Sequence, residues 1–220
     1  MIDEDVKGML SDNEARVLGC LMEKQMTTPE YYPLTLKALT AACNQKSSRV
    51  PVMNLSEGQV AGVVGGLRTR GLVTARMDGR ADRFEHHLSR KLGLDSKQRA
   101  VLCVLMLRGL LTLNEIRINT SRMTEFESAE ALQAILDELI AREDPLLVRI
   151  PRAAGQREDR YAQLLCGEPD ITATKAPARH VPSGEASDTS DRLARLEAEV
   201  ADLRQMLQQI NAFTGYDREA

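Results

Sequence analysis

The side chains with the clearest chemical potential in this 220-residue sequence are basic ones grouped between residues 46 and 83. Lysine and arginine can neutralise the phosphates of a DNA backbone, and nearby hydroxyl and amide side chains can add hydrogen bonds to phosphate oxygens. The residues that we predict to contact duplex DNA are Lys46, Arg49, Ser56, Gln59, Arg68, Thr69, Arg70, Arg76, Arg80 and Arg83.

The charge of the chain is unevenly distributed behind a formal total of −3. Residues 11–93 carry 12 Lys and Arg against 8 Asp and Glu, residues 94–165 carry 10 against 11, and residues 166–220 carry 6 against 10. Any nucleic-acid binding is therefore local to the first of these segments. Aromatic residues make up 3% of the chain, which disfavours a stacking platform for single-stranded nucleic acid.

No arrangement typical of catalysis or metal binding accompanies the basic side chains. The four cysteines are far apart, and His86 and His87 are neighbours on a predicted strand, so they point to opposite faces. No Gly-rich phosphate loop, nucleophile motif or metalloprotease motif occurs. We therefore predict a protein that is not an enzyme, with no cofactor and no metal site, and with reduced cysteines in a cytoplasmic location.

The elements that must position the basic side chains belong to a unit that occurs twice. Three residues of the first predicted helix recur at a constant offset, with Asp12, Arg16 and Cys20 matched by Asp95, Arg99 and Cys103. Each of these helices begins with a capping box, formed by Ser11 with Glu14 and by Asp95 with Gln98.

Each copy continues with a second short helix, a third helix and a β-hairpin. The second helices are predicted at 34–43 and 112–119. The third helices follow from apolar spacing at Val60, Val63, Val64 and Leu67, and at Leu132, Ile135, Leu136, Leu139 and Ile140. The hairpin strands are predicted at Leu72–Met77 with Arg83–Leu88, and at Leu146–Ile150 with Arg160–Leu165.

This order predicts a mainly α fold with small β-hairpin wings (α+β), in the form of tandem winged-helix domains. The predicted organisation is a tail at 1–10, winged-helix domains at 11–93 (the first repeat) and 94–165 (the second repeat), a flexible linker at 166–190, a short coiled-coil helix at 191–213 and a tail at 214–220.

The third helix of a winged helix normally enters the major groove. In the first repeat the predicted outward face holds Gly58, Gly62, Gly65 and Thr69, so base reading is disfavoured and backbone contacts remain. The glycines favour close approach of a DNA backbone or a partner helix. The alternative is a weakly formed helix that tertiary packing holds in place.

In the second repeat the third helix shows carboxylates outward. Glu130 and Asp137, with Glu138 beside them, would be repelled by phosphate. We predict a surface for protein contact or dimerisation at Glu130 and Asp137, and the alternative is a solvated helix face.

The last apolar residues of the chain follow a heptad pattern. They are Leu193, Leu196, Val200, Leu203, Leu207 and Ile210. In a parallel dimer the flanking pairs Arg192–Glu197 and Glu199–Arg204 are opposite in sign, which favours self-association through a coiled coil. The alternative is an amphipathic helix that packs back on the winged helices.

Three separated motifs resemble those of a known family. The runs Asn44–Met53, Arg122–Phe126 and Arg149–Glu158 are similar to those of the YceH family, a group of bacterial proteins with tandem winged-helix domains. The resemblance covers about residues 11–165. It implies the tandem winged-helix fold, and it brings no established activity or catalytic residue.

The sequence thus supports two hypotheses of function. The first is DNA binding of low base specificity through the first repeat, as in a transcriptional regulator. The alternative is a protein-interaction scaffold without DNA binding, similar to segregation-and-condensation protein B, itself an acidic tandem winged-helix dimer. No apolar run reaches the length of a membrane span, so we predict no membrane partner.

Overall fold

The computed structural model describes residues 10–78, 81–153 and 155–169. In the first repeat the elements are α1 (Asp12–Thr27), a 3₁₀ turn (Pro29–Tyr31), β1 (Leu34–Thr35), α2 (Leu36–Cys43), α3 (Glu57–Thr69), β2 (Val73–Asp78) and β3 (Ala81–His86). After the short helix α4 (Leu88–Lys91), the second repeat contains α5 (Ser96–Arg108), β4 (Leu111–Thr112), α6 (Leu113–Thr120), α7 (Ala129–Ile140), β5 (Leu147–Ile150) and β6 (Arg160–Gln163). The α+β fold class with small hairpin wings is confirmed.

Helix starts are set locally by capping side chains. The capping boxes predicted for α1 and α5 are both formed, and α3 begins in the same way with Ser56 and Gln59. In α6 the pair is Thr112 and Glu115. Each box satisfies backbone N–H groups that have no partner inside the helix, so the start of the helix is encoded within four residues.

Each repeat contains one three-stranded antiparallel sheet, with strand orders β1-β3-β2 and β4-β6-β5. The predicted second helices at 34–43 and 112–119 are therefore wrong at their first residues. Leu34 and Thr35 form β1, opposite Phe84 and Arg83, and Thr112 is the second residue of β4, opposite Arg160. Pairing with a distant strand creates these short strands, and such pairing leaves no local pattern in the sequence.

Most hairpin boundaries differ from the prediction by one or two residues, and two of these differences have a clear local cause. The second strand of the first hairpin ends at His86, because Leu88 begins α4. The second strand of the second hairpin ends at Gln163, whose side-chain Oε1 accepts hydrogen bonds from the backbone N–H groups of Leu165 and Cys166. The first of these strands thus ends at a short helix and the second at a local turn, each two residues earlier than predicted.

The two repeats pack on each other through α1 and α5. Gly19 of α1 allows the close approach, because a Cβ at this position would lie 2.9 Å from Leu107 Cδ2. The Cys103 thiol donates a hydrogen bond to the carbonyl oxygen of Gly19 (3.3 Å), and the Val50 N–H donates to the carbonyl oxygen of Leu107 (2.9 Å). Cys20, Cys43 and Cys103 are buried free thiols in this core.

The predicted linker beyond residue 169 and the predicted coiled-coil helix at 191–213 lie outside the described residues. Within the described ranges, no helix has the length and apolarity needed to cross a bilayer.

Candidate nucleic-acid interface

The third helix of the first repeat, α3, presents the face that the apolar spacing predicts. Val60, Val64 and Leu67 are buried, whereas the outward glycines and Thr69 are exposed. Nothing in the described part of the chain, apart from the helix's own backbone, lies within 4 Å of a Cβ built at Gly62 or Gly65. The backbone of α3 is therefore open to close approach along this face.

Two exposed cations belong to α3 and to the loop that leads into it. Lys46 in the loop before the helix and Arg68 in its last turn are both exposed, and neither forms an ion pair or a side-chain hydrogen bond with any described residue. Ser56 and Gln59 are also predicted to contact DNA. In the capping box at the start of α3, the side-chain oxygen of each accepts a hydrogen bond from the backbone N–H of the other. These side chains are exposed as well, so they remain accessible to a ligand.

Three of the other predicted basic residues form contacts within the first repeat. Arg70 is half-buried and donates to Glu14 Oε1 (2.9 Å), and Arg83 is half-buried and donates to the Pro33 carbonyl oxygen (3.0 Å). Arg76 is 67% exposed along its side chain and donates to Glu85 Oε1 (3.0 Å). Arg80 lies outside the described residues. The wing therefore offers less free positive charge than the sequence suggests.

Arg49 does not belong to this surface. Only 2% of it is exposed, and its guanidinium donates to both carboxylate oxygens of Glu23, at 2.5 and 3.3 Å, and to the Ala42 carbonyl oxygen. The prediction that Arg49 contacts DNA is contradicted by this burial, because an arginine inside the core cannot reach a phosphate. Burial would lower the pKa of Arg49, but the hydrogen bond to Glu23 and nearby negative charge outweigh it and raise the pKa.

A second buried arginine holds the same loop in place. Arg16 of α1 donates to the carbonyl oxygens of Cys43 (3.1 Å) and Pro51 (2.7 Å). Arg16 and Arg49 together fix residues 44–55, the loop that leads into α3. A sequence signal for the Arg49 contact exists in α1, where Glu23 directly follows a mostly apolar stretch at residues 15–22. A charge on such a buried face needs a partner inside the protein.

The corresponding helix of the second repeat, α7, differs in charge. Glu130, Asp137 and Glu138 are exposed, as the apolar spacing predicts, while Leu132, Leu136 and Leu139 are buried. Gln133 donates to Asp137 (2.8 Å) and Gln98 donates to Glu138 (3.2 Å), so these carboxylates stay on the surface as acceptors. A duplex approaching α7 would meet negative charge.

The neighbouring histidines His86 and His87 lie in different elements, because His86 is the last residue of β3 and His87 precedes α4. His86 is buried and its Nε2 lies 3.0 Å from Gln25 Oε1, which also accepts from Arg99. Because arginine only donates, this Gln25 atom is an acceptor and His86 donates from Nε2. Burial, and then the charges of Arg99 and His87, lower the pKa of His86 to about 4. His86 is thus a neutral core residue at neutral pH.

No group of three or more His, Cys, Asp or Glu side chains arranged to hold a metal ion occurs within residues 10–78, 81–153 and 155–169.

Comparison with known proteins places these features in one family. The family model described as "Protein of unknown function, DUF480" matches residues 10–156. A UPF0502 protein of Burkholderia ambifaria is 43% identical over 216 residues, which is 96% of this chain and 92% of that protein. UPF0502 proteins of Pelobacter propionicus and Geobacter sulfurreducens are 47% and 46% identical over 199 residues, covering 90% and 89% of this chain and 91% and 90% of those proteins.

Proposed function

The chain belongs to the DUF480 family of bacterial UPF0502 proteins, as its three motifs predict, and from that premise we propose that it is a non-enzymatic cytoplasmic protein that binds duplex DNA. The binding surface is α3 of the first repeat with Lys46 and the exposed side of the wing at Arg76. The observation that carries the proposal is the open glycine face of α3, together with Lys46 and Arg68, two exposed cations that have no ion-pair partner among the described residues.

The geometry favours contacts to the DNA backbone over base reading. A glycine face lets a sugar-phosphate chain approach the helix closely but offers no side chain to a base edge. With Lys46, Arg68 and Arg76 as the available cations, about three phosphates are neutralised. The affinity should then fall about 40-fold between 50 and 200 mM salt, which is shallow for a DNA-binding protein.

The test is the affinity for a short duplex across a salt series. We expect the Lys46→Gln/Arg68→Gln variant to reduce the slope of log affinity against log salt by about 2, because two phosphate contacts are lost. The matched control, Arg117→Gln/Arg157→Gln, removes two exposed arginines from the second repeat and should leave the slope unchanged. Absence of binding at low salt, or a slope that is the same in the first variant, would exclude the proposal.

A second candidate is a protein-interaction scaffold, and the exposed carboxylates of α7 favour it. Glu130 and Asp137 form an acidic face that suits a basic protein surface better than DNA. Self-association through the heptad residues Leu193 to Ile210 is compatible with both functions. An absence of duplex binding at low salt would leave the scaffold as the better account.

A further inference from the structure

The second repeat contains a cavity of about 660 Å³ beside its wing. Its walls come from three elements: Leu113, Asn114 and Arg117 of α6, Ala129 at the start of α7, and the β5–β6 hairpin with Tyr161. The volume lies within the range that is typical of sites for small molecules. Neither the proposed DNA surface nor the acidic face of α7 includes this cavity.

Four arginines line the cavity: Arg117, Arg149, Arg152 and Arg157. They converge from different parts of the chain, because Arg117 lies on α6 while the other three lie on the hairpin. Two acidic residues, Glu158 and Asp159, also line it, which leaves an excess of positive charge. A cavity of this composition attracts anions.

The structure shows how the carboxylate of Asp159 is used. It accepts hydrogen bonds from the Arg152 backbone N–H (2.9 Å) and from Arg149 Nε (2.7 Å). These two bonds, the backbone bond first, lower the pKa of Asp159. Asp159 therefore braces the loop and the Arg149 side chain, and much of its charge is already compensated within the wing.

Two of the four guanidinium groups remain uncommitted. Arg117 and Arg157 are exposed, and neither side chain has an ion-pair or hydrogen-bond partner in the part of the chain that the structure describes. Arg152 uses Nη1 for the Arg157 carbonyl oxygen (3.2 Å), which orients it along the loop and leaves its other donors available. The forked donors of arginine match the oxygens of a phosphate group better than a single point charge would.

We infer that this cavity binds the phosphate group of a small organic ligand. Arg117, Arg152 and Arg157 hold the phosphate oxygens, and Leu113 with Ala129 provides apolar surface for the rest of the molecule. A duplex fits this position less well, because Glu130 and Asp137 on the exposed side of α7 repel its phosphates. The site does not depend on DNA binding by the first repeat.

The experiment uses inorganic pyrophosphate as the probe and calorimetric titration of the full-length protein as the measurement. We expect saturable binding, and we expect the Arg117→Gln/Arg157→Gln variant to lower the affinity at least about tenfold. The reason is that a charge-assisted hydrogen bond contributes more binding free energy than a neutral one. The control is Lys46→Gln/Arg68→Gln, which removes the same charge from the first repeat and should leave the pyrophosphate affinity unchanged. Both variants change exposed residues, and an unchanged thermal midpoint verifies that they fold.

The inference would be overturned if no saturable binding occurred at millimolar pyrophosphate, or if the control variant lost as much affinity. A third contrary outcome is that a short duplex displaces pyrophosphate and that Arg117→Gln/Arg157→Gln also binds the duplex more weakly. The last result would assign the cavity to a DNA backbone. Failure of the duplex salt series leaves the pyrophosphate result unaffected, so the two proposals fail separately.

Discussion

The two repeats share one order of elements but keep their charges in different places. In the first repeat, residues 44–56 connect the second and third helices and contribute Arg49, which forms a buried ion pair with Glu23. In the second repeat the same connection is shorter, residues 121–128, and the position that corresponds to Glu23 is held by Met106, which is buried. The first repeat thus has an ionic contact where the second has an apolar one.

The third helices and the wings of the two repeats also differ. The helix α3 is open and nearly without side chains on its outer face, whereas α7 carries carboxylates there. The strands β2 and β3 are joined by two residues, whereas residues 151–159 join β5 and β6 and bring arginines to a cavity. The same scaffold therefore supports a surface for an extended backbone in one repeat and a pocket for a small anion in the other.

The largest expected effect concerns the ion pair that only the first repeat has. Arg49→Met leaves the Glu23 carboxylate buried and without its main partner, so we expect the free energy of unfolding to fall by about 3–5 kcal/mol. Glu23→Met/Arg49→Met, which gives the first repeat the methionine of the second, should restore most of this loss. Urea unfolding measures both variants.

The control for this prediction is Arg76→Met, which breaks an ion pair whose arginine is 67% exposed along its side chain. It should cost less than about 1 kcal/mol, because solvent screens an exposed pair. A similar small cost for Arg49→Met would mean that Glu23 finds water or another partner, and the contrast between the repeats would then disappear.

The second-largest expected effect is a pH dependence of the unfolding free energy that arises from His86 in the first repeat. His86 corresponds to Gln163 in the second repeat, since β3 and β6 pair in the same register with β1 and β4. Because the pKa of His86 is lowered to about 4, the unfolded chain binds a proton on this side chain at higher pH than the native protein does. Its contribution to stability is complete above a pH of about 6.5 and is lost as the pH falls towards 4, by about 3 kcal/mol.

The variant His86→Gln tests this dependence by placing the residue of the second repeat in the first. The difference in unfolding free energy between the variant and the original protein should change by about 3 kcal/mol between pH 7 and pH 4, in favour of the variant at low pH. Carboxylates common to both proteins cancel in this difference. A difference that stays constant across this range would show that His86 titrates normally in the folded protein.

The smallest effect concerns the open face of α3. Gly62→Ala/Gly65→Ala makes this face resemble that of α7, which has Ala134, and should raise the free energy of unfolding by about 1–2 kcal/mol, because alanine is the better helix former and the space is open. Gly71→Ala is the contrasting control, since Gly71 has φ +63° and alanine there is strained. Thermal and urea unfolding compare the two.

The same double variant sharpens the functional contrast. If a DNA backbone approaches the glycines closely, duplex affinity falls although the protein becomes more stable. An unchanged duplex affinity would restrict the proposed interface to the cations Lys46, Arg68 and Arg76.

Much of the fold was predictable because its signals are local. Capping boxes at Ser11 and Asp95 and the apolar spacing in α3 and α7 are each contained within a few residues. The short strands β1 and β4 were missed because each consists of two residues that are strands only through pairing with a partner about 50 residues away. Arg49 was misplaced for the same reason, since its partner Glu23 lies 26 residues away.

The amino-acid sequence by itself determined the repeat, the helix starts, the inward and outward faces of the third helices and the membership of the family, because period and spacing are properties of neighbouring residues. Only the tertiary structure decided which basic side chains are available. Whether an arginine meets a phosphate, a carboxylate or a carbonyl depends on burial and on groups distant in the chain. That is why Arg49 turned inward while Arg68, Arg117 and Arg157 remained on the surface.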